Sequence, residues 1–119
     1  WGSIYSYFRW KFTRKTIMKL NVKERVAILQ MLPETGSLVE MVDIMEIVKK
    51  VRLEEEEKNN IEFKETKNSL SWNAFKDLGK DIEFKHEEIS ILKAAVRRLD
   101  EEKRINVSNL DICLKINSL

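Results

Sequence analysis

Between Leu38 and Leu53 the chain sets Leu38, Val39, Met41, Val42, Ile44, Met45, Ile47, Val48 and Val51 on a helical period and leaves a polar stripe only through Glu40, Asp43, Glu46 and Lys50. An apolar arc this wide exceeds the roughly 100° with which a surface helix faces a single core. Such a helix must either run through the middle of the fold or lend part of its surface to a partner. Ser37 followed by Glu40 supplies the Ser-x-x-Glu capping box that starts it.

The segments on either side read as a mixture of helix and strand. Asn21, answered by Glu24, caps an earlier helix that ends at Pro33, with Val22, Val26 and Leu29 on its apolar face and Ile28 and Leu32 widening it. Thr35-Gly36 makes the turn between the two helices. Glu54 to Glu57 would oppose the negative end of a helix continued through them, so they are expected to open a new short turn instead. Ile61–Glu65 and Ser69–Trp72 alternate about Thr66-Lys67-Asn68, which predicts a β-hairpin burying Ile61, Phe63, Leu70 and Trp72. A third strand at Asp81–Lys85, after Gly79, adds Ile82 and Phe84 to the same face. The clearest amphipathic helix runs from about Glu87 to Lys103 through Ile89, Leu92, Val96 and Leu99, and a last short helix after Ser108 carries Leu110, Cys113 and Leu114. The expectation is an α+β fold of about four helices and a small three-stranded antiparallel sheet. A length of 119 residues with 43% hydrophobic and 35% charged composition suits one compact domain over residues 18–119.

Residues 1–17 differ in composition. They hold Trp1, Tyr5, Tyr7, Phe8, Trp10 and Phe12, six of the ten aromatics, together with Arg9, Lys11, Arg14 and Lys15 and no acid. Their charge is therefore +4, and the formal net charge of +2 leaves −2 for the remainder. MKLNVKER from Met18 reads like a natural start, so residues 1–17 are expected to be an aromatic and basic leader, a tail or an edge strand. The strand reading rests on Tyr7, Arg9 and Lys11 alternating with Phe8, Trp10 and Phe12. Basic residues interleaved with aromatics also suit single-stranded nucleic acid or a membrane surface.

Few chemistries find support. A slightly acidic body gives no electrostatic reason for strong nucleic-acid binding, which rests on neutralised phosphates. Cys113, the single cysteine, has no internal disulfide partner, and no run approaches the roughly 18 apolar residues of a membrane span, so a cytoplasmic protein is expected. His86 alone removes multi-histidine metal sites and most nucleophilic triads. Glu54 to Glu57 lack the alternate spacing and glycine turn of a calcium loop, and no glycine-rich loop cradles a phosphate. Catalytic, cofactor-binding and metal-ligating residues are therefore expected to be none, and an enzyme is not expected.

The start Met18-Lys19-Leu20-Asn21-Val22-Lys23-Glu24-Arg25, with Ile28-Leu29 and Leu32-Pro33, then Trp72-Asn73, Asp81-Ile82-Glu83-Phe84 and Leu99-Asp100-Glu101-Glu102-Lys103, resembles small uncharacterised proteins of phages, prophages and related mobile DNA. The resemblance covers most of residues 18–119 and carries no functional residue. It implies an accessory factor that binds a host or element protein.

The leading expectation is a non-enzymatic interaction module that uses Leu38, Met41, Val42, Met45 and Val48 for self-association, as a homodimer, or for binding another protein. Met31, Met41 and Met45 on or beside that surface suit adaptable contacts, and equally suit an irregular core. The alternative is a winged-helix-like nucleic-acid binder, with the two helices around Thr35-Gly36-Ser37 as its helix-turn-helix and the hairpin as its wing.

Overall fold

In the computed structural model, which describes residues 15–119, the first element is a strand, β1, at Lys15–Leu20. It pairs antiparallel with β4, Lys80–Lys85, in a register that runs from Lys15 opposite Lys85 to Leu20 opposite Lys80. Met18, Leu20, Ile82 and Phe84 are buried, while Lys15, Ile17 and Lys19 line the outer face with Asp81, Glu83 and Lys85. The compositional break placed at Met18 thus falls inside a strand. Lys15, Thr16 and Ile17 belong to the folded unit, and the proposed strand at Tyr7–Phe12 lies outside the described residues.

Helix α1, Val22–Met31, begins at the expected cap: Glu24 N–H donates to the Asn21 side chain at 2.8 Å and Glu24 answers on Asn21 N–H at 3.0 Å. Helix α2, Leu38–Val51, starts at Ser37, whose hydroxyl accepts from Glu40 N–H. A six-residue helix, α3, Glu55–Asn60, is the new turn that the run of glutamates predicts. Helix α4, His86–Glu101, follows β4 directly, and α5, Leu110–Asn117, closes the described chain.

The α+β class is as expected; the sheet is not. The hairpin consists of β2, Lys64–Glu65, and β3, Leu70–Ser71, and β4 does not join it. Among the described residues there are two two-stranded antiparallel sheets, because β4 finds its partner in Lys15–Leu20 and not in the hairpin. Phe63 stacks on Trp72 at 6.2 Å between ring centroids, and both are half-buried. The hairpin is a satellite of the main core. That core is built from Leu20, Ile28, Ile47, Phe84, Leu92, Ile112 and their neighbours on β1, β4 and four of the helices. Gly79 enters β4 at a φ of +78°, and a Cβ there would sit 3.1 Å from the Lys19 side chain, so this bend requires glycine.

Helix α1 is rotated from its expected facing. Val26 and Leu29 are only half-buried, while Glu24 and Arg25 are buried beside Val22, Ala27, Ile28 and Met31. Charged side chains would be placed in solvent by periodicity alone, but both are engaged by opposite charges from other elements.

Two substitutions on α2 separate its faces. Ile47 is fully buried, so Ile47→Ala should cost about 2–5 kcal/mol. Val42→Ala, on the exposed face, should change stability by no more than about 0.5 kcal/mol. Urea unfolding followed by circular dichroism measures both.

Candidate functional site

The C-terminal half of α2 is anchored. Ile44, Ile47 and Val51 are buried, Lys50 pairs with the buried Glu88 of α4, and the carbonyls of Val51 and Arg52 are capped by Arg25. The N-terminal half stands away from the core. Leu38 is 84% exposed, Val39 71%, Val42 56% and Met45 49%. Leu38, Val42 and Met45 follow the i, i+4, i+7 spacing of a single stripe.

The expected interface residues therefore divide. Leu38, Val42 and Met45 lie together on the outside; Met41 and Val48 are half-buried and pack against the core cluster. Met31 is buried and belongs to the core, so the methionines do not form one surface. Glu46 flanks the stripe, Asp43 and Glu40 lie further round the helix, and Lys49, Lys50 and Arg52 gather at its end. Lys49 reaches back to Glu46 at 3.3 Å.

Three buried charges, Glu24, Arg25 and Glu88, position these elements, and the sequence marked neither their burial nor their distant partners. Arg25 donates from Nε to Val51 O at 2.9 Å, from Nη2 to Arg52 O at 2.7 Å, and from Nη1 and Nη2 to the two carboxylate oxygens of Glu57 at 2.7 and 3.2 Å. Glu24 accepts from Lys115 of α5 at 2.7 Å. Glu88 accepts from Lys50 and, through the same oxygen, from Lys85 N–H at 2.7 Å; its second oxygen is buried without a partner. The guanidinium hydrogen bonds hold the Glu57 carboxyl at a pKa of about 2, below the ordinary 4.5.

The other reactive side chains are placed as structure. The glutamate run pairs with nearby cations, Glu54 with Arg52, Glu55 with Lys58 and Glu57 with Arg25. Cys113 is buried in the core, and burial pushes its thiol pKa up, away from the reactive thiolate. His86 is exposed at the first position of α4. Among the described residues, no three His, Cys, Asp or Glu side chains gather as a metal site requires, and no helix is long and apolar enough to cross a membrane.

Sequence reasoning missed two further surfaces. Phe75 is 96% exposed on a short 3-10 turn before β4, with exposed Leu78 three residues on, and a single apolar residue in a connection has no period to reveal it. A cleft of about 570 Å³ opens between the outer face of α1, at Lys23, Val26 and Gln30, and the hairpin residues Leu70 and Trp72. It exists because the hairpin stands apart from the main sheet. Comparison with known protein families, curated proteins and solved structures finds no match.

The Arg25–Glu57 pair sets a pH dependence. A carboxyl whose folded pKa lies below its unfolded one stabilises the fold fully above about 4.5 and loses that contribution as pH falls towards about 2. The stability advantage of wild type over Glu57→Gln should shrink across that window and be constant above it. Urea midpoints of the two proteins at a series of pH values measure the difference.

Proposed function

We propose that this chain is a non-enzymatic protein-interaction module, an accessory protein of a phage or other mobile element, that pairs with a second copy of itself through the outer stripe of α2. The observation that carries the reading is the exposed run of Leu38, Val42 and Met45, with Val39 beside it. Fully burying a side chain of this kind is worth about 1.5–3 kcal/mol, so a surface that gathers several of them on one stripe favours association. These side chains project from a helix whose other end is anchored by Arg25 and Glu88, so the surface is held rigidly and little ordering is needed on contact.

Charge placement favours a two-fold antiparallel arrangement. One copy's Asp43 and Glu46, at the flank of the stripe, would then face the other copy's end of the helix, with Lys49 and Arg52. The same surface weighs against the winged-helix alternative. Bases are read by arginine, asparagine and glutamine donors, and this helix offers leucine, valine, methionine and acids.

Light scattering on the full chain across a concentration series tests the proposal. Wild type should shift from monomer to dimer with concentration, and Val42→Lys with Met45→Lys should remain monomeric with an unchanged circular dichroism spectrum. A wild-type chain that stays monomeric up to its solubility limit would sink self-association, and so would a folded double variant that still dimerises. Met41 is unsuited to this test because it also packs on the core.

A further inference from the structure

Strand β4 has one hydrogen-bonded neighbour, β1, and among the described residues its other edge has no backbone partner. A cleft of about 440 Å³ runs there. Four consecutive strand residues, Lys80 to Glu83, line it together with Lys85, so it meets side chains of both faces, as a groove along a strand edge does. Its other wall is the end of α2, with Lys49 and Lys50, and Lys15 stands at the rim opposite Lys85. Five lysines therefore line the cleft, with Lys50 already paired with Glu88, against Asp81 and Glu83 as the acids of the lining; at the end of the strand Lys85 N–H is taken by Glu88, which leaves the backbone before it without a backbone partner among the described residues.

Lysine on an edge strand commonly guards the edge against unwanted pairing. Here Lys49 and Lys50 come from a helix rather than from the strand, so they form a second wall facing whatever lies along β4. Among the described residues Lys15 is held by a 4.0 Å contact to Glu83 and Lys49 by an exposed pair with Glu46, interactions of little worth in water that an incoming acid can replace.

We propose that the free edge of β4 takes up an extended acidic segment of a partner protein as an added strand. A strand edge offers donors and acceptors in alternation, and a polypeptide backbone matches both, whereas a phosphate backbone supplies acceptors alone. Asp81 and Glu83, set between Lys80 and Lys85, also suit spaced carboxylates better than a continuous polyanion. A second copy of β4 is a weaker fit: the register that pairs Asp81 with Lys85 also sets Glu83 opposite its own copy, and the neighbouring register sets Asp81 opposite Glu83. This site does not depend on the Leu38–Met45 stripe, although Lys49 stands at the end of α2 that the antiparallel arrangement also uses.

The test uses the full chain and a fluorescein-labelled hexapeptide of alternating glutamate and valine, followed by fluorescence anisotropy. The peptide should bind, lose affinity in high salt, and bind about tenfold more weakly to Lys49→Glu with Lys80→Glu. A peptide of the same sequence and charge, N-methylated at alternate residues on its strand-pairing side, should lose at least as much against wild type, because it lacks the backbone donors. Equal binding of both peptides overturns the proposal in favour of simple charge attraction. It is overturned equally by no binding of the unmodified peptide, or by a single-stranded oligonucleotide of equal charge that displaces it more effectively. The methylated comparison is made on the wild-type protein, so it stands even where the lysine variant fails to fold.

Discussion

Arg25 is the side chain on which the arrangement of helices depends. Its guanidinium is buried at 3% exposure, and an unsatisfied charge there would cost several kcal/mol. It is satisfied only because the end of α2 presents two carbonyls and α3 presents a carboxylate at the same point. The end of one helix, the start of the next and the middle of α1 are thereby fixed to one another. A hydrophobic contact tolerates sliding; a planar donor with acceptors in defined directions does not. Burial of this charge therefore contributes more to a unique geometry than to net stability.

That geometry explains why α2 is exposed where it is. With its last turns held by Arg25 from one side and by the Lys50–Glu88 pair from another, the helix leaves the core at an orientation that buries Ile44, Ile47 and Val51. Leu38, Val39 and Val42, nearer its start, are carried into solvent. The same anchoring places Lys49 and Lys50 beside the β4 edge, so one constraint shapes both candidate surfaces. Glu24, the residue before Arg25, plays a parallel part by tying α1 to α5 through Lys115.

Much of the local structure could be read in advance. The capping box at Asn21, the Ser37 hydroxyl half of the second box, the break at Glu54 and the amphipathic helix through Ile89, Leu92, Val96 and Leu99 all depend on neighbours a few residues apart and are found; the return bond from Glu40 to Ser37 is not among them. The sheet could not be read so. Asp81–Lys85 alternates and announces a strand, but nothing in alternation chooses between the hairpin nearby and a strand some sixty residues earlier. Lys15–Leu20 was hidden because the change in composition at Met18 suggested a boundary where the backbone has none. The buried faces of α1 were misjudged for a related reason. Glu24 and Arg25 read as solvent residues until Lys115 and Glu57 are brought to them.

For the candidate site, the residue pattern alone determined that the Leu38–Leu53 helix carries more apolar surface than one core contact can use, since that follows from its period. Only the tertiary structure decided which part of the excess is covered. Met41 and Val48 turn inward while Leu38, Val42 and Met45 remain in water, because the helix is clamped at its end by charges contributed from 26 to 38 positions away in the chain. A helical period records which residues share a face; the direction of that face is set by contacts between distant residues, and no local spacing encodes them.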